Sequence, residues 1–207
     1  MRIGINGPIG AGKSLLTAEL ANYLGYESVK EPVEHNEYLN YFYENKDTFS
    51  YMGQNAFYAA MFLLMWKTKE HKNVIFDSTF FSNVIYTQLL HIEGYMKPEQ
   101  YELSLSIARE HIAQLPPTDL EIILVRDKEK LFANVAERGR LFELNEAKYL
   151  NFQYDHYYQA AKSVYQMFNF PLEKLLFLEV NDLKNPTEIA RIAELVTEKV
   201  RANNSAR

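Results

Sequence analysis

Residues 7–14 read Gly-Pro-Ile-Gly-Ala-Gly-Lys-Ser, the G-x-x-x-x-G-K-[ST] spacing of a loop whose backbone N–H groups wrap nucleotide phosphates. Gly7, Gly10 and Gly12 let the chain turn tightly and approach a phosphate with no Cβ in the way. Lys13 is spaced to reach the β- and γ-phosphates, and the Ser14 hydroxyl to ligate Mg²⁺. The expected contacts of this loop are Gly7, Ile9, Gly10, Ala11, Gly12, Lys13, Ser14 and Leu15, with ATP and Mg²⁺ as the cofactors. Three further groups could act beside it. Glu31, held extended by Pro32, could take a proton from an attacking hydroxyl, or be a solvated loop glutamate. Asp77, in Asp77-Ser78-Thr79, could hold Mg²⁺ beside Ser14, or serve with its neighbours as a helix cap. Arg138 and Arg140 flank Gly139 and could close over a transferring phosphoryl group, or mark an ordinary helix end.

The elements that must position these residues alternate. Apolar runs at 1–6, 27–30, 74–76, 120–125 and 175–180 read as strands. Helical spacing covers residues near 13–24, 48–71, 80–92, 98–114, 128–138, 146–168 and 186–202. Such alternation predicts an α/β fold, a five-stranded parallel sheet with helices on both faces. Ligands then bind beyond the carboxyl ends of the strands, where the phosphate loop, Glu31 and Asp77 all fall. The chain reads as one domain over 1–207, with a short arginine lid near 138–145 and a polar tail, 201–207, expected to fray.

Net charge is −5 and no Lys/Arg block occurs, which argues against a nucleic-acid partner. The longest apolar stretch, 59–66, is too short to span a bilayer, and residues 1–6 already read as a core strand rather than a leader. With no cysteine, disulfides and thiolate chemistry are excluded, which suits the cytoplasm.

The phosphate loop, Glu31-Pro32-Val33-Glu34, Phe42-Tyr43-Glu44, Gln54, the Asp77 strand end and Arg138-Gly139-Arg140 with Glu143 follow one another along nearly the whole chain. In that order they resemble the deoxyribonucleoside kinase family, bacterial deoxyadenosine/deoxyguanosine kinase-like branch, a P-loop kinase fold. The resemblance implies that Glu31 is the general base for the 5′-hydroxyl. It implies that Tyr43 and Glu143 hold the sugar 3′-hydroxyl, that Gln54 reads the base edge, and that Arg138 and Arg140 are lid arginines. It places the ATP adenine near Asn181 and Asp182, and a homodimer through helices 80–92 and 98–114 is expected.

Three positions depart from the family pattern. Ser78 stands where an arginine usually contacts the catalytic carboxylate. Met61 stands where a base-reading arginine is common, and Asn83 replaces a base-reading aspartate. A charged pair is thereby exchanged for a neutral one, and a neutral, roomier base pocket is expected. With Phe57, Phe80 and Phe81 as candidates to flank the base, the reading is ATP-dependent phosphorylation of a deoxyribonucleoside 5′-hydroxyl in nucleotide salvage, purines slightly favoured. The alternatives are a deoxynucleoside monophosphate kinase and a non-catalytic nucleotide-binding relative.

Overall fold

The computed structural model describes residues 1–33, 37–140 and 146–205. Glu143 and most of the expected lid fall outside them. Five strands form one all-parallel sheet: β1 (Arg2–Asn6), β2 (Glu27–Val29), β3 (Val74–Asp77), β4 (Leu120–Val125) and β5 (Leu175–Glu179), in the order β2-β3-β1-β4-β5. β1, β3 and most of β4 are buried along their whole length. Near-continuous apolar runs such as Leu120–Val125 are what a sheet covered on both faces requires.

Eight helices among the described residues cover it: α1 (Lys13–Leu24), α2 (Tyr38–Glu44), α3 (Lys46–Lys67), α4 (Phe80–Glu93), α5 (Pro98–Gln114), α6 (Lys128–Arg138), α7 (Ala147–Met167) and α8 (Pro186–Ser205). Two differences from the sequence expectation have local causes. α2 was not expected, being only seven residues long and set off from α3 by Asn45, whose side chain accepts from Thr48 N at 3.1 Å. α3 stops at Lys67 rather than 71, because the chain turns through Lys69 N to Trp66 O and His71 N to Thr68 O. α8 extends to Ser205, into the tail expected to fray. No described helix is long and apolar enough to cross a membrane.

At the sheet centre β1 passes β4 with Gly4 opposite Glu121. A Cβ at Gly4 would run into Glu121 Oε2 and Thr79 Cγ2. Glycine lets a carboxylate enter the core here, and Glu121 is fully buried.

Candidate active site

The carboxyl ends of β1, β2 and β3 deliver Gly7, Glu31 and Asp77 to one end of the sheet. After Asn6 the chain turns through the phosphate loop into α1, whose first residue is Lys13. Gly10 adopts φ +83°, and a Cβ there would lie 2.6 Å from Leu131 O on α6. Asn134 Nδ2, also on α6, donates to Gly10 O at 2.7 Å. Arg126 Nε donates to Ala11 O at 3.2 Å and its Nη1 to Asn181 O at 2.8 Å. The loop is thus pinned from outside by α6 and the β4–α6 turn.

Two clefts meet there. The first is lined by Ile9, Lys13, Glu31, Tyr43, Gln54, Asn83, Arg138 and Arg140, along with apolar Phe42, Phe57 and Tyr149. The second is lined by Gly10, Ala11, Gly12, Lys13, Ser14, Leu15, Arg138, Asn181 and Asp182. Lys13 and Arg138 border both. Fifteen of the expected site residues therefore converge, and they sort into two neighbouring chambers. Gly7 lies at the root of the loop, its carbonyl accepting from Lys13 Nζ at 3.1 Å.

Glu31 stands among several charged groups. Burial pushes its carboxyl pKa above the ordinary value; Lys13 pulls it down, Asp77 raises it, and the Ser78 hydroxyl and Arg140 pull it down again. Ser78 Oγ has no well-formed hydrogen bond among the described residues, so its pull is that of a nearby dipole. The cations Glu31 feels are Lys13 and Arg140. Of the two cations that could stand in for the arginine absent at Ser78, Arg126 lies in the second cleft and Lys30 is an exposed residue on neither wall.

Asp77 is buried and its Oδ1 has no hydrogen-bond partner among the described residues. A buried carboxylate oxygen with nothing to accept from suits a hard cation such as Mg²⁺, and exposed Ser14 offers a hydroxyl across the loop. Ser78 sits at φ +68°, the left-handed region, at a cost of roughly 1 kcal/mol for a non-glycine residue. The turn is fixed by Ser78 N donating to Ile5 O at 2.9 Å and Thr79 N to Asn6 Oδ1 at 2.9 Å.

The first cleft is neutral at its far end. Asn83 Nδ2 donates to Phe57 O at 3.2 Å. Gln54 Oε1 is buried without a partner among the described residues. Met61, expected on this wall, is instead fully buried in the core: α3 turns it toward the interior, away from the cleft. Phe80 and Phe81 likewise pack inward, against Tyr58 and Tyr165; of the three phenylalanines considered, only Phe57 lines the cleft. Tyr43 and Tyr149 meet edge-on with ring centroids 6.1 Å apart. Lys46 lies 5.3 Å from the Tyr149 ring and pairs with Glu146 at 2.7 Å.

Sequence reasoning weighed Arg126 only as a stand-in for the arginine absent at Ser78, and missed Asn134 and Tyr86 among the cleft residues. Arg126 carries a usable signal, one residue past a strand end. Asn134 and Tyr86 sit mid-helix and carry none.

The sequence profile of the deoxynucleoside kinase family matches residues 3–201. The chain belongs to the deoxynucleoside kinase family. Among kinases of this family it is 30% identical over 168 residues to a deoxyguanosine kinase of Bacillus subtilis (strain 168), covering 78% of this chain and 79% of that one. It is 29% identical to the deoxyadenosine/deoxycytidine kinase of the same organism, covering 70% and 69%. A solved deoxyadenosine kinase from M. mycoides with bound dATP superposes with a TM-score of 0.77 at 26% identity, over 97% of this chain and 100% of that one.

Proposed function

We propose that the chain transfers the γ-phosphoryl group of ATP to the 5′-hydroxyl of a deoxyribonucleoside, purines slightly favoured. The observation that carries this reading is the shared border: Lys13 and Arg138 line both clefts at once. A donor triphosphate in the glycine-walled cleft and an acceptor in the aromatic one would meet between two cations, with Glu31 on the acceptor side.

Glu31 then accepts the 5′-hydroxyl proton. Lys13 spreads the phosphate charge, and Arg138 and Arg140 stabilise the charge that builds on the moving phosphoryl group. Bound Mg²⁺ would be held by Ser14 and Asp77 and would neutralise the β- and γ-oxygens. Tyr43 positions the sugar and Gln54 and Asn83 face the base, while Asn181 and Asp182 border the adenosine end of the donor. Glu143, proposed with Tyr43 for the 3′-hydroxyl, lies outside the described residues. The reading includes a cytoplasmic homodimer, for which exposed Leu63, Trp66, Ile92 and Leu103 on α3, α4 and α5 supply apolar surface.

The test is transfer from ATP·Mg²⁺ to the four deoxynucleosides and their monophosphates. Lys13→Ala should lower turnover by about 10²–10³-fold, the loss typical of one preorganised electrostatic contact. Turnover only with monophosphates, or with none of the acceptors, would overturn the reading.

A further inference from the structure

Behind the phosphate loop lies a buried carboxyl that the reaction above does not use. Glu121 Oε1 accepts from Thr118 Oγ1 at 2.8 Å. Its Oε2 accepts from Asn6 Nδ2 at 2.6 Å, Thr79 Oγ1 at 3.0 Å and Tyr165 OH at 3.3 Å. Asn6 immediately precedes Gly7, and Thr79 immediately follows Asp77 and Ser78. Asn6 Oδ1 in turn accepts from Thr79 N at 2.9 Å. The three side chains close a triangle between the root of the phosphate loop and the turn that sets Asp77 and Ser78 beside Glu31.

The donor inventory fits an ionised carboxylate in this triangle. Both Thr hydroxyls, the Asn amide and the Tyr hydroxyl are all placed to donate, and an ionised carboxylate accepts from all four. A neutral acid keeps the set only if a Thr or Tyr hydroxyl turns to accept its proton, which the Asn6 amide N–H cannot do, so the all-donating arrangement is broken. A buried carboxylate is expensive to keep, and an apolar side chain would fill the core without that cost.

We propose that the Glu121 carboxylate is a positioning residue for phosphoryl transfer: by bonding Asn6 and Thr79 together it holds the phosphate loop in register with the Asp77–Ser78 turn, and its protonation slackens that register. The inference rests on the kinase reading above. Burial pushes the Glu121 carboxyl pKa up to about 7, against the pull of its hydrogen bonds from Thr118, Thr79, Asn6 and Tyr165, so the slackening falls near neutral pH. Of the groups facing it, Asn6 on β1, Thr79 before α4 and Thr118 before β4 do not titrate. Tyr165 on α7 stays neutral, burial holding its pKa well above the ordinary value. The adjoining cavity of about 170 Å³ is walled by Phe80, Phe81, Phe168 and Phe170 and has no other charged lining residue. Beyond that wall, His111 packs against Phe80 and Arg109 lies over Phe168.

The test compares wild type, Glu121→Gln and Thr118→Val between about pH 6 and about pH 8.5, reading ATP affinity by fluorescence titration and kcat by initial rates. Glu121→Gln places an N–H among donors. It should lower kcat roughly ten- to a hundredfold, weaken ATP binding, leave KM for the deoxynucleoside within about twofold, and flatten the wild-type rise near pH 7. Thr118→Val touches neither Asn6 nor Thr79; it should match wild type at high pH and move that rise to higher pH. Glu31 titrates in all three proteins, so the difference between profiles is what counts. Wild-type kcat and ATP affinity in Glu121→Gln, or an unmoved profile in Thr118→Val, overturns the proposal. ATP affinity that loses its pH dependence in Glu121→Gln, in a protein that phosphorylates no deoxynucleoside, supports the positioning role and strikes the kinase reading instead.

Discussion

At Glu31, burial and Asp77 oppose Lys13, Ser78 and Arg140, and the net result is a raised pKa. Only the anion accepts a proton, so turnover should fall as pH drops through that value. Ser78→Arg would set a permanent cation beside the carboxyl and favour the anion. The acidic limb of the kcat/KM profile should therefore move to lower pH; a limb that stays put or rises would refute the role given to Glu31. At the base end, one of the two Asn83 N–H groups is held by Phe57 O, and its oxygen remains an acceptor. Gln54 offers an acceptor beside it. The cleft should therefore prefer bases with an exocyclic amine. Deoxyinosine should be phosphorylated more slowly than deoxyguanosine, and deoxyuridine than deoxycytidine, by about 5- to 100-fold, the range for leaving a buried acceptor unpaired. Asn83→Leu should narrow both ratios; equal rates in the wild type would refute the preference.

Among the elements, α6 has two duties. Its Asn134 and Leu131 back the phosphate loop at Gly10, and its last residue, Arg138, reaches the border of both clefts. Asn134→Ala removes the bond to Gly10 O, at a net cost of about 1 kcal/mol. It should raise KM for ATP about fivefold with little change in KM for the deoxynucleoside, by initial-rate kinetics. The β-α-loop order was legible because β1 and β3 are short apolar runs ending at a chemistry-bearing residue, Asn6 before Gly7 and Phe76 before Asp77. The short β2, mostly polar and exposed, is marked only by Val29 shortly before Glu31. The second cleft was legible residue by residue, since one contiguous motif supplies most of it. The first was only half legible. Its wall comes from α2, α3, α4 and α7, and a helix residue's facing depends on packing that sequence spacing leaves open. Met61 and Phe57 lie four residues apart on α3; Phe57 faces the cleft and Met61 the core. Tyr43 sat on a helix too short to show a period.

For the molecule as a whole, buried carboxyls set the pH response of stability. A carboxyl whose folded pKa is raised favours folding below its ordinary value of 4.5, and that contribution is lost as pH rises through the folded value. Glu121, raised from 4.5 to about 7, accounts for on the order of 3 kcal/mol of this loss, and Glu31 acts in the same direction. Tm should therefore fall between about pH 5 and about pH 8. Glu121→Gln should flatten that fall in scanning calorimetry, and an equally steep fall in the variant would refute the assignment. The proposed dimer should scatter light as twice the chain mass at micromolar concentration; the single-chain mass would refute it. Gly4 has a consequence for how this chain can vary. Because any Cβ there meets Glu121 Oε2 and Thr79 Cγ2, position 4 cannot leave glycine while residues 79 and 121 keep their side chains. In a saturation library screened for growth on salvage, position 4 should return glycine only. Alanine should reappear there when residues 79 and 121 are both shortened in the same clone, so the route to a different core runs through a combined change that single substitutions cannot reach.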